Sequence, residues 1–286
     1  LILQIDIWVQ KQKRKFKMYT RKPVVAGYFY PVNQRELLYE LEEYMPKSGN
    51  LNAYGAICPH AGYVYSGNVA GAVYTKIKPK DIYILLGPNH TGYGSDIAIM
   101  TEGEWEIPLG KIKIHTELAK KIIENSEYAK EDIQAHIYEH SLEVQLPFIY
   151  KTNSDAKIIP IAIKMVSLKS CISLAKTISE SIQALKLNEK VILISSTDMS
   201  HYLPDDLARE VDALAIEKIK NFDPEGLYNT VLKNKISMCG FLSTVIMLYA
   251  TKLLGAKEVQ IVKYATSAEV SRDYDRVVGY LGALVL

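Results

Sequence analysis

The chain has 286 residues, 48% hydrophobic and 23% charged, ordinary globular values that exclude a disordered or collagen-like protein. Its 34 basic and 32 acidic residues leave a net charge of only +2, which argues against a dedicated nucleic-acid binder. No charge-free run of about 18 apolar residues occurs, so no membrane span is expected.

The chain begins with an apolar stretch, Leu1–Val9, and then turns basic at Lys11, Lys13, Arg14, Lys15 and Lys17. A secretory signal has the reverse order and ends at a small-residue cleavage site, so no export is expected. The first 17 residues hold five basic residues against one acidic, Asp6, which leaves the remainder slightly acidic at 29 to 31. Residues 1–18 are read as a disordered or mis-assigned extension, and residues 19–286 as a single domain. Cys58, Cys171 and Cys239 are too few, and odd in number, for a disulfide framework, so a reducing cytoplasm is the expected setting.

The first predicted element is a helix over Arg35–Tyr44. A strand follows at Ala53–Cys58, stopped by Pro59, and another at Ile82–Leu86, stopped by Gly87-Pro88. Tyr93–His115, with Trp105, Pro108 and its glycines, suits hairpins or an insertion better than a strand–helix unit. Helices are expected at Thr116–Asn125 and Ser141–Tyr150, a strand at Ile158–Ile163, a helix at Leu168–Leu185 and a strand at Val191–Ile194. Helices at Pro204–Asn221 and Gly240–Leu254 come next, with Pro204 and Pro224 suited to first turns and Gly255 to a helix stop. Strands at Val259–Tyr264 and Val277–Leu286 complete the pattern. The strand runs are apolar on both parities, as strands buried on both faces are. Their alternation with helices predicts an α/β fold, one domain with a central, mostly parallel or mixed sheet flanked by helices.

Three segments share one design, an apolar strand ending in a histidine-bearing loop: Ile57-Cys58-Pro59-His60, Leu86-Gly87-Pro88-Asn89-His90, and Ile194-Ser195-Ser196-Thr197-Asp198-Met199-Ser200-His201. Ligands of open α/β sheets bind beyond the carboxyl ends of strands, so His60, His90 and His201 are expected to converge there. Convergent imidazoles point to a metal. The spacings are long, and neither H-E-x-x-H nor C-x-x-C is present. A fourth segment, Glu139-His140-Ser141-Leu142-Glu143, falls where a helix should start. It suits either an N-terminal cap or groups that orient a metal ligand or move a proton. Cys239 precedes a predicted helix, where a thiol's pKa is expected to fall and favour the metal-binding thiolate. Walker, dinucleotide-binding and G-x-S-x-G patterns are absent.

Six ordered blocks carry a family resemblance: Pro23–Pro31, Pro59–Gly67, Gly87–Gly92, Glu139–Glu143, Ser195–Tyr202 and Met238–Gly240. In these the sequence resembles the MEMO-like family, known in prokaryotes as AmmeMemoRadiSam system protein B. The resemblance implies a fold similar to class III extradiol dioxygenases. It also implies a pocket lined by His60, His90, His201 and Cys239, with Asp198 nearby. On that pattern His60, His90 and Cys239 are the expected metal ligands, and His201 with Asp198 the catalytic proton-handling pair. His140, Glu143, Asn89 and Tyr63 are expected around them, orienting ligands or lining the pocket. Cys239 stands where the dioxygenases have a carboxylate, and a thiolate favours softer metals. Iron is the expected metal, with copper and zinc as alternatives. Three readings stay open: an iron-dependent, dioxygenase-like enzyme on a small aromatic substrate, a non-enzymatic metal- or peptide-binding scaffold, and a zinc hydrolase. The resemblance further implies a functional link to AMMECR-type and radical-SAM proteins; the charge balance and the lack of an apolar span set the expectation of no nucleic-acid or membrane partner.

Overall fold

A computed structural model describes residues 19–286; the expected extension over 1–18 lies outside the described residues. The five strands β2 (Gly55–Cys58), β9 (Val191–Ser196), β3 (Ile82–Pro88), β8 (Lys157–Ile163) and β6 (Gly110–Ile114) run parallel as neighbours in that order. The residues of β2, β9, β3 and β8 are almost all buried, as expected of strands covered on both faces, whereas β6 is only partly so.

Antiparallel and edge strands surround this core and make the sheet mixed. β12 (Val277–Val285) pairs antiparallel with β2, with β11 (Val259–Thr266) and with the short β10 (His201–Leu203). At the other side β5 (Glu104–Ile107) forms a hairpin with β6, and β1 (Thr20–Arg21) lies parallel to β5. β4 (Ile97–Ile99) pairs with β8 and with β7 (Lys130–Glu131). The hairpin expected within Tyr93–His115 is therefore β5–β6.

Helices cover both faces. They are α1 (Gln34–Tyr44), α2 (Tyr63–Tyr74), α3 (Thr116–Asn125), α4 (Leu146–Thr152), α5 (Leu168–Ala184), α6 (Asp205–Lys220), α7 (Pro224–Asn234), α8 (Phe241–Leu254) and the single turn α9 (Ala268–Ser271). Gly55 faces Met247 and Thr251 of α8, whereas Gly282 faces Val69 and Val73 of α2. Val285 pairs with Gly55, so the alternation along β12 puts α2 and α8 on opposite faces of the sheet. No helix of the described residues is long and apolar enough to cross a membrane.

Two helices depart from the expected pattern. The helix predicted over Ser141–Tyr150 begins as a 3₁₀ turn at Glu143–Gln145 and becomes α-helical only at Leu146, so His140 precedes it. α2 has no sequence-level expectation, because it is apolar on nearly every face and contains Gly67 and Gly71. Those glycines admit Tyr44, whose ring would meet a Cβ at Gly67 at 2.6 Å.

Candidate metal centre

β9 lies between β2 and β3, so the loops leaving the three strands are neighbours. They carry Asp198, His60 and His90 respectively. The backbone N–H of Thr197 donates to the carbonyl of Cys58 at 2.9 Å, and that of His60 donates to Asp198 Oδ1 at 2.8 Å. Cys239 arrives from the turn before α8. Its neighbour Gly240 sits so close to β9 that a Cβ there would lie 2.5 Å from the carbonyl oxygen of Ser196. Gly240 N–H also donates to Thr197 Oγ1 at 2.9 Å. This close approach brings Cys239 Sγ to 3.4 Å from His60 Nε2. Ligand atoms of His60, His90 and Cys239 lie within 4.8 Å of one another, a group that could hold a metal ion.

The hydrogen bonds decide which nitrogens are free to bind. Ser196 Oγ donates its only proton to the carbonyl of Ser141 at 2.6 Å and accepts from Gln145 Nε2 at 2.9 Å. The contact of 3.0 Å between Ser196 Oγ and His60 Nδ1 must then run from Nδ1–H to oxygen. His60 Nε2 keeps its lone pair, directed at Cys239. His90 Nδ1 lies 2.9 Å from Glu139 Oε1, and His90 N–H donates to Glu139 Oε2 at 2.5 Å. Burial pushes the Glu139 carboxyl up, but the bonds to His90 and to the Ser141 N–H outweigh it and bring the carboxyl down to about 2. Glu139 is thus a carboxylate that accepts the Nδ1 proton, leaving the His90 Nε2 lone pair free.

Burial, with the charges of His90 and His140, holds His60 well below its ordinary value, so it is a neutral imidazole. Cys239 departs from expectation. The residue is half-buried, but its thiol is enclosed, and burial together with the Asp198 charge pushes it up to about 12. The backbone N–H groups of Asp198, at 3.3 Å, and Gly240 act the other way but do not prevail. The expected thiolate at a helix start is therefore not the metal-free state; a metal must displace the thiol proton.

The sequence profile of the Memo-like protein family matches residues 21–284. The chain belongs to this family. A MEMO1 family protein of Desulfurococcus amylolyticus is 42% identical over 279 residues, spanning 92% of this chain and 98% of the relative. A relative from Methanosarcina barkeri is 41% identical over 268 residues, 93% of this chain and 99% of its own. Another from Pyrobaculum aerophilum is 38% identical over 282 residues, again spanning 93% and 99%.

Within this Memo-like pocket the imidazole in ring contact with both His60 and His90 is His140, one of the expected pocket residues. The His140 ring stacks on His90 at 4.7 Å and lies 5.6 Å from His60, with Phe29 against its edge at 5.0 Å. The chain turns after β9 and His201 opens β10 at the sheet edge, from where its charge still acts on His60 and Asp198. Its Nδ1 lies 3.0 Å from the carbonyl of Ser237, which can only accept, so its Nε2 is also unprotonated when the ring is neutral. Neither group of metal-ligand atoms among the described residues includes His201. Asp198 is buried, and burial raises its carboxyl against the His60 N–H and the imidazoles of His201, His140 and His90.

The remaining expected residues support the site at different distances. Asn89 shapes the His90 loop: its amide donates to the carbonyl of Tyr93 at 2.7 Å, and its oxygen accepts from Thr91 and Gly92. Tyr63 is buried in the core, with its hydroxyl donating to the carbonyl of Val144 at 2.8 Å. Glu143 pairs with Arg21 and accepts the N–H groups of Val24 and Val25 and the hydroxyl of Tyr30. It ties the first described strand to the site wall. The functional residues that sequence reasoning passed over are Ser196 and Gln145, which orient His60, and Arg21. The guanidinium of Arg21 lies over Trp105 at 4.3 Å and bonds the carbonyls of His136 and Glu139.

Proposed function

We propose that this protein is a metal-dependent oxidoreductase of dioxygenase-like type, with His60, His90 and Cys239 holding one iron ion beside a small aromatic or phenolic substrate. The carrying observation is that both imidazoles give their Nδ1 protons to buried acceptors, so both Nε2 lone pairs are free, that of His60 lying 3.4 Å from Cys239 Sγ, and the three residues offer ligand atoms within 4.8 Å of one another. That donor set fits a mononuclear transition-metal ion, and three protein ligands leave positions open for substrate and oxidant. When bound, iron would supply the redox chemistry. The chain's own groups hold and move protons. Ser196 and Glu139 fix the ligand tautomers. Ser237 fixes His201 with Nε2 as a proton acceptor, and the raised carboxyl of Asp198 lies against the His60 backbone.

A second reading rests on the sulfur ligand. A thiolate beside two imidazoles also suits copper, and a copper-binding protein without turnover would use the same three residues. Metal analysis of protein purified without oxygen, followed by oxygen-uptake assays on catechols, separates the readings. About one iron per chain, with catechol-dependent oxygen uptake that His60→Ala abolishes, is the expected result. Tight copper without turnover would establish the second reading, and zinc with ester or amide hydrolysis would overturn both.

A further inference from the structure

Glu139 has no exposed surface, yet no Lys or Arg among the described residues pairs with its carboxylate; Arg21 bonds only its backbone carbonyl. Buried charges are paired or coordinate metals. The side chains facing this carboxylate are both imidazoles. His90 Nδ1 lies 2.9 Å from Oε1 and His140 Nδ1 lies 3.6 Å from the same oxygen. The other contacts to the carboxylate are the N–H groups of His90 and Ser141. The His140 ring makes no hydrogen bond among the described residues and is 24% exposed, so the cluster opens toward solvent on one side.

We infer that His90, Glu139 and His140 form a second cation site, which takes a divalent transition metal and shares His90 with the inner group. The three ligand atoms lie within 4.8 Å of one another. Tetrahedral bonds of about 2.1 Å place ligand atoms about 3.4 Å apart, so only small side-chain shifts are needed. The donors are two nitrogens and a carboxylate oxygen, a harder set than the inner group with its sulfur, and they suit zinc or cobalt. His90 binds the inner ion through Nε2 and the outer ion through Nδ1. The Nδ1 proton leaves to solvent as the outer ion arrives, and the imidazole ring then bridges the two ions. The entering dication balances the buried carboxylate. This inference rests on the inner-site reading only for the sharing of His90; the outer group can fill by itself.

Titration of metal-free, reduced protein with Co(II) under nitrogen tests it, because a sulfur-to-cobalt charge-transfer band marks the inner site alone. Two equivalents are expected in the unaltered chain, only one of which brings the band. His140→Ala should lose one equivalent and keep the band. Cys239→Ser should lose the band and still bind the outer equivalent, with circular dichroism and thermal melting showing that both variants are folded. A single equivalent in the unaltered chain, retained with its band in His140→Ala, overturns the second site and leaves the inner one intact. One equivalent without any band, lost in His140→Ala, upholds the second site and removes the inner reading.

Discussion

Glu139 holds His90 twice, through the ring Nδ1 at 2.9 Å and through the backbone N–H at 2.5 Å. One carboxylate thus fixes both the path of the loop and the rotation of the imidazole it carries. Carboxylates bonded to the far nitrogen of a ligand histidine orient the ring and raise its basicity. Glu139→Gln keeps the shape but replaces the charge, so metal affinity should fall by about 10–100-fold. Co(II) titration at fixed pH, followed by the sulfur-to-cobalt band that marks the inner group alone, measures this, and unchanged affinity there would show that the loop alone positions His90.

Cys239 should bind metal only by giving up a proton held at about 12. Metal affinity should therefore rise with pH across the neutral range, and each ion bound at the inner group should release the thiol proton. In Cys239→Ser that release should vanish, and the melting temperature should respond less to added metal, since native-state binding is what stabilises. Titration in two buffers of different ionisation enthalpy counts the protons.

Arg21 and Glu143 form a fully buried ion pair. Arg21→Met leaves Glu143 without its cation and should cost about 3–5 kcal/mol of stability. Urea denaturation of the variant reads this directly. The double change Arg21→Met with Glu143→Gln should be milder than the single one, because the stranded charge is gone.

His136 is fully buried beside Trp105, with neither ring nitrogen hydrogen-bonded among the described residues. Burial, aided by the Arg21 charge, lowers it from 6.5 to about 4. Its folded pKa is depressed, so between those two values the unfolded chain binds more protons than the native one. Stability from this group is intact above the unfolded pKa and is lost as pH falls from about 6.5 toward 4, by about 3 kcal/mol in all. His136→Leu should flatten that slope, and urea midpoints at pH 7, 5.5 and 4.5 for both proteins provide the measurement.

His60 and His90 were legible as partners because each follows an apolar run stopped by proline or glycine, and parallel strands bring such stops to one sheet edge. His201 follows a third apolar run, but across a further turn of the chain. Met199 N–H bonds the carbonyl of Gly279, which draws the chain away from β9 and into an antiparallel edge strand. Local pattern cannot register a pairing with residues almost 80 positions later. Arg21 and Glu139 are 118 residues apart, and Ser196 and Gln145 are 51, so the bonds that orient the ligands exist only once the sheet is assembled. α2 escaped because a helix buried nearly all round has no polar stripe to mark its period.

β12 fixes when the site can exist. It borders β2, the strand leading to His60, yet its residues are synthesised after His60, His90 and Cys239. At about 5–20 residues per second, several seconds separate Cys239 from Val285 on the ribosome. During that interval β2 has an open edge, and its His60 loop is braced only from the β9 side. On the proposed function, loading of a metal is accordingly a late event in the life of the chain. A nascent polypeptide with His60, His90 and Cys239 already made still lacks the rigid frame that brings them together.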